Sequence, residues 1–200
     1  MMNQPLILAS GSEIRAEMLQ NAGIALEIQP ARVDEHAIKS ALLAERAQPR
    51  DVADALAEAK ARRVSLKNQD RLVLGADQVL DFQGQILDKP ETLNQAHKQL
   101  IMLRSKSHNL FSAAVLFENG QPVWRHIGRA TLTMRDFSDD FLDKYIQKNG
   151  DNLFTTVGGY KIEEQGVQLF SSIKGDYFSI LGLPLLEFLA ILRQKGYCNE

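Results

Sequence analysis

The stretch from Leu72 to Pro90, LVLGADQVLDFQGQILDKP, decides how the rest of the chain is read. Leu72, Val73 and Leu74 form an apolar run suited to a buried strand, and Val79 and Leu80 resume it after Gly75, Ala76, Asp77 and Gln78. An acid therefore stands inside a core strand. Phe82, Gln83 and Gly84 suit a three-residue hairpin loop with Gly in the left-handed position, returning the chain through Ile86 and Leu87 to Lys89. Pairing of Asp81 with Gln85 then sets Lys89 across from Asp77; a two-residue loop would slip the register by one and set Gln78 there instead. Either way an acid and a base meet at one end of the sheet. The plainest reading of such a pair is a structural salt bridge. Against it, Gly75 and Ala76 leave room beside the carboxylate and Pro90 ends the return strand where the ammonium emerges, so the place is open to something larger than water.

Two hundred residues, 44% of them hydrophobic, are ample for a substantial core, in one domain or in two lobes sharing a cleft. The prolines are scattered, and neither a linker nor a repeat divides the chain. With 23 basic against 25 acidic residues the net charge is -2, which excludes a general electrostatic nucleic-acid binder. The single cysteine, Cys198, cannot form an internal disulfide, so a reducing compartment is expected. The first apolar run, Leu6 to Ala9, is too short for a signal peptide and no segment approaches membrane-spanning length. The expectation is a cytoplasmic protein with neither a membrane nor nucleic acid as partner.

Leu6 to Ala9 read as a first buried strand, followed by Ser10, Gly11 and Ser12 and then by a helix with Ile14, Met18, Leu19 and Ala22 on one side and Gly23 as its stop. Strand, small polar loop and helix start form an arrangement that favours an anion, because helix-start N–H groups and the serine hydroxyls are donors. Arg15 falls in the first turn, where the dipole alone would prefer an acid. It either faces an anionic partner or is solvated while Ser12 caps the helix. Leu26 to Gln29 read as a half-buried strand, and Val33, Asp34, Glu35 and His36 as a loop before the next helix. Asp51 is the expected cap of a longer helix that carries Lys60 at the edge of its buried face. Asn94 is the expected cap of the helix after the hairpin, and Asn119-Gly120 joins a strand from His108 to Phe117 with another running from Val123 toward Met134. Ser138 caps a further helix closed by Asn149-Gly150; a strand over Val167 to Phe170 follows, and Gly182-Leu183-Pro184 opens a final apolar helix.

Taken together, LILASGSEIR, VDE at 33–35, LGADQVL, LDKP, GGYKIEEQG at 158–166 and KGDYFSILGLPL at 174–185 resemble the Maf family in order and spacing across essentially the whole chain. The resemblance implies a single Maf-like domain over residues 1–200, with a mixed, partly antiparallel α/β sheet flanked by helices. It implies two lobes enclosing a central cleft, as in the related inosine triphosphate pyrophosphatases. It implies a nucleoside triphosphate pyrophosphatase that splits the α–β phosphate bond with a divalent metal, magnesium or manganese, and a homodimer is among the expected assemblies. Carried onto this sequence, Ser10 and Arg15 match the phosphate-binding loop, Glu35 the metal-side acid, Lys60 the helix lysine, and Asp77 and Lys89 the central acid and base. Asp77 would orient water and share the metal with Glu35, while the three cations clamp the triphosphate.

The chain departs from the family where Ser-Pro-Arg-Arg is usual, reading Ser12, Glu13, Ile14 and Arg15 instead. One arginine is missing and Glu13 adds a negative charge, with Arg32 and Lys161 as candidate replacements. Gln78, Glu163 and the absence of a basic residue among Thr155, Thr156 and Val157 resemble the branch acting on 7-methyl-GTP. A carboxylate at Glu163 is suited to the N1 and N2 hydrogens of guanine and to the charge of a methylated ring. The alternative is a catalytically weakened nucleotide-binding regulator linked to septum formation.

Overall fold

The computed structural model describes residues 4–198. Seven strands form one open sheet in the order β2-β1-β3-β5-β6-β7, with β4 on β3. The short strands β1 (Leu6–Leu8) and β2 (Leu26–Ile28) lie parallel, and β1 is also parallel to β3 (Leu72–Phe82). Antiparallel pairing then joins β3 to β4 (Gln85–Leu87) and to β5 (Ser107–Glu118), β5 to β6 (Gln121–Met134), and β6 to β7 (Phe170–Lys174). The mixed sheet expected from the sequence is the one observed.

Alternation along β3 sends its side chains to different cores. Leu72, Leu74 and Ala76 pack with α1 (Glu13–Asn21) and α7 (Leu185–Gln194), whereas Val73 and Val79 pack under α3 (Pro49–Ser65). Helix α3 lies so close that a methyl on Gly75 would come within 2.1 Å of the Ala57 carbonyl oxygen, so only glycine admits it there. At its far end β3 gives Leu80 and Phe82 to a second core built with α4 (Leu93–Leu103) and α5 (Asp139–Asn149). Two lobes thus share the long strands. Helix α2 (Glu35–Ala44) lies beside α3, and none of its described side chains is fully buried. The four-residue α6 (Tyr177–Ile180) precedes α7.

The hairpin closes through two residues, not three. Phe82 pairs with Gln85, and Gln83 and Gly84 take φ values of 56° and 86°, the positive pair that a two-residue turn of matching twist requires. Phe82 stays in the strand and buries its ring, and the Asp81 carboxylate accepts the Gly84 N–H at 2.7 Å. The slipped register follows. Other boundaries also moved: α3 begins at Pro49 with Asp51 inside its first turn, and Thr92 rather than Asn94 caps α4 by accepting the Gln95 N–H. Glu35 and His36 belong to α2, whose cap is Asp34. Gln165–Leu169 is a 3-10 turn where a strand was expected, because Leu169 turns inward and its carbonyl accepts the Arg135 N–H; the strand begins at Phe170.

Candidate active site

One edge of β3 is covered by β5 from Leu72 to Asp81, but the other meets β1 only at Val73 and Leu74 and β4 only from Leu80. Between them is a window, and Asp77 is at its middle. The charged groups converge there from separate elements. Lys60 donates to the Asp77 carboxylate at 2.6 Å and reaches Glu35, at the start of α2, at 3.0 Å. Arg15 is buried in the first turn of α1, donating from Nε to the Gly182 carbonyl at 2.8 Å and from Nη1 to Ser10 Oγ and the Ala76 carbonyl, each at 3.1 Å. Solvation of Arg15 is thereby excluded. Ser12 makes no side-chain capping bond to α1, and its own N–H donates to Ser10 Oγ at 3.3 Å. Lys89 is exposed beside these groups, with no ion-pair or hydrogen-bond partner among the described residues.

Three cations therefore face two carboxylates. Burial raises the Asp77 carboxyl above its ordinary value, against the opposing pull of Lys60 and Arg15. Partial desolvation lowers the Lys89 ammonium although its side chain reaches solvent, and Arg15 and Lys60 push it further the same way while Glu35 and Asp77 oppose them. Burial lowers the Arg15 guanidinium, countered by Asp77 and Glu35, yet a guanidinium keeps its proton in proteins. The result is a basic carboxylate with unneutralised positive charge beside it.

Glu35 and Asp77 share one ammonium and so stand on either side of the same small space. Among the described residues no group of three His, Cys, Asp or Glu could hold a metal. Two carboxylates suffice for magnesium, which retains much of its water shell, so these residues fit a hydrated divalent ion.

The remaining expected residues lie farther out. Gln78 projects from the opposite face of β3, its amide nitrogen donating to Ser112 Oγ at 2.9 Å and to the Ile180 carbonyl at 2.9 Å. It pins α6 to the sheet from beside the window. Glu163 is exposed on the loop after buried Tyr160, while its neighbour Glu164 pairs with Lys161 at 3.4 Å, which removes Lys161 as a free replacement for the missing arginine. That loop starts against the cleft, since a methyl on Gly159 would lie 4.0 Å from Pro90. A groove of about 540 Å3 lined by Arg50, Asp81, Phe111 and Arg129 lies at the start of α3, away from all of these groups. Sequence reasoning missed the carbonyl anchors of Arg15. The KGDYFSILGLPL stretch carried that signal, for its Gly182 is the partner, but nothing in its composition names Arg15.

The family model described as Maf-like protein matches residues 5–195. The chain belongs to the Maf family. It is 54% identical to a nucleoside triphosphate pyrophosphatase of Ruegeria pomeroyi, covering 98% of both chains. It is 50% identical to a protein of the same name from Caulobacter vibrioides over 96% of each. A 7-methyl-GTP pyrophosphatase of Rhizobium meliloti is 46% identical, again over 96% of each. In this Maf chain no helix among the described residues is long and apolar enough to cross a membrane.

Proposed function

We propose that this Maf protein hydrolyses the α–β phosphate bond of a nucleoside triphosphate, releasing a nucleoside monophosphate and diphosphate, with 7-methyl-GTP as the leading substrate. That it is a hydrolase of the nucleoside triphosphate pyrophosphatase class follows from relatives sharing half of its residues over nearly the full chain. The observation that carries the reading is the Asp77 carboxylate, buried at the window in β3 between Lys60 and Arg15, with the free Lys89 ammonium beside it.

Phosphoryl chemistry asks mainly for positioning and charge neutralisation. The Ser10 loop and the uncapped start of α1 supply donors, and Lys89 supplies a cation with no other partner. Asp77 is the group to orient a water and accept its proton: burial makes it more basic, while Lys60 and Arg15 pull the other way and favour the carboxylate. Magnesium or manganese, held by Glu35 and Asp77, would neutralise phosphate oxygens as a Lewis acid. Glu163 is assigned to the guanine edge, with support from its exposure on the loop that begins against Pro90.

The test is pyrophosphate release from 7-methyl-GTP, GTP, dTTP and UTP with magnesium or manganese. Turnover led by 7-methyl-GTP is expected, and no release from any of them would overturn the reading in favour of a nucleotide-binding regulator. Glu163→Gln replaces one accepting oxygen by a donor, so the 7-methyl-GTP to UTP ratio of kcat/KM should fall roughly tenfold to a hundredfold, given about 1.5 to 3 kcal/mol for a charge-assisted hydrogen bond. An unchanged ratio removes Glu163 from base recognition.

A further inference from the structure

Lys89 has no side-chain partner, so its ammonium can be placed only through the backbone that carries it. That backbone is held at its neighbour. The Asp88 side chain pairs with Lys39 of α2, and the Asp88 carbonyl accepts the Gln99 amide of α4 at 2.9 Å. Lys39 lies four residues beyond Glu35, so both project from one face of the helix. Glu35 reaches Lys60 while Lys39 reaches Asp88. Among the described residues, half-buried Ile38 and Leu42, which pack with the core under α3, and these two ion pairs tie α2 to its neighbours.

We propose that Asp88 is a positioning residue, the centre of a Lys39–Asp88–Gln99 clasp that fixes the Lys89 ammonium and ties it to the helix bearing Glu35. The proposal rests on the reading above in which Lys89 binds phosphate. A lysine on a flexible four-carbon stem loses much freedom when it binds an anion, and a fixed backbone reduces that loss before the ligand arrives. Lys39 has a second effect: it neutralises a carboxylate that would otherwise repel an incoming triphosphate next to Lys89. Both effects act on binding, and neither touches the Asp77 water.

The experiment is steady-state pyrophosphate release from 7-methyl-GTP, together with calorimetry of inorganic pyrophosphate binding, which reports on the clasp even without turnover. Asp88→Asn and Lys39→Met should each raise KM and the pyrophosphate Kd about two- to fivefold, the range of a largely exposed ion pair, with kcat within about twofold of wild type. Lys39→Asp alone should be worse, and adding Asp88→Lys to it should restore KM to within about twofold. Raised salt should weaken binding less in Lys39→Met than in wild type, because the pair it would screen is gone. An exchanged pair no better than Lys39→Asp, or singles that lower Tm at unchanged KM and Kd, would overturn the clasp. Lys89→Ala separates the levels. Clasp variants with wild-type constants beside a weakened Lys89→Ala sink only the clasp, whereas a Lys89→Ala that binds normally sinks the phosphate reading beneath it.

Discussion

Asp77 and His108 stand on neighbouring strands under comparable burial, 7% and 1% exposed, and meet different electrical surroundings. Asp77 has Lys60 at 2.6 Å and Arg15 near it, and both pull against the burial that raises its carboxyl above the ordinary value. His108, in the second lobe, has the Tyr160 hydroxyl at 2.7 Å as its side-chain hydrogen-bond partner among the described residues, and burial lowers it to about 4 against a weaker pull from Asp81, so it is neutral near pH 7. Its Nδ1 has no partner among the described residues. Tyr160, pushed upward by burial, is neutral as well, and Tyr145 donates to the Gly159 carbonyl at 3.2 Å beside it. Burial disfavours charge, and bracketing by counter-charges opposes that cost. The cleft is where this chain supplies those counter-charges, with one more cation than it needs for itself. In the second lobe the Gly158 to Gly166 loop is anchored at its start by the neutral Tyr160 and Tyr145 hydroxyls.

The strongest way to break this contrast is to replace the Asp77 carboxylate by an amide. Asp77→Asn should cut kcat by a factor of roughly a hundred or more, as loss of a general base does, while the cooperative thermal transition persists. Steady-state rates and a melting curve decide it: a folded mutant at wild-type rate removes Asp77 from the chemistry. The second way is to force charge onto the buried pair. His108 is lowered to about 4 when folded, against an ordinary 6.5, so the unfolded chain binds more protons between those values. Stability is therefore fully present above about pH 6.5 and falls as pH drops toward 4, by on the order of 3 kcal/mol over the whole window. Urea unfolding at several pH values should show this slope in wild type and a flatter one in His108→Phe. Equal slopes would mean that His108 is not the group responsible.

What the sequence made legible follows the same division. Apolar runs and turn pairs are local, so β1, the long hairpin at Asn119-Gly120 and the cap at Ser138 were readable as written. Placement of Asp77 in a core strand and of Lys60 at a buried helix edge was also readable, because both interrupt an apolar pattern. The hairpin register was not, since Gln83 has no strong left-handed preference and what settles it is the burial of Phe82 against α4. Arg15 was undecidable for a related reason. Its partners Ala76 and Gly182 are backbone carbonyls far along the chain, and a carbonyl leaves no mark on residue type. The pairing of His108 with Tyr160 joins residues 52 apart in the chain and was invisible as well.

Within the cleft itself the two outer cations sharpen the comparison further. Arg15 is a structural tie as much as a charge: through Nε and Nη1 it satisfies Ser10, the Ala76 carbonyl at the open edge of β3 and the Gly182 carbonyl before α7. Lys89 satisfies nothing. Arg15→Ala should thus leave buried acceptors unpaired and lower stability by about 1 to 3 kcal/mol in addition to weakening triphosphate binding. Lys89→Ala should weaken triphosphate binding by a similar amount, about 1.5 to 3 kcal/mol for a charge-assisted contact, with Tm unchanged. For both, binding of the nucleoside alone should be affected less than binding of the triphosphate, because the missing partner is phosphate. Calorimetry with the two ligands, set beside denaturation of each variant, reads all four quantities. Equal loss for nucleoside and triphosphate would show that neither cation is a clamp. A Lys89→Ala as destabilised as Arg15→Ala would show that the spare charge of the cleft is not spare, and that Lys89 holds the folded lobes together just as Arg15 does.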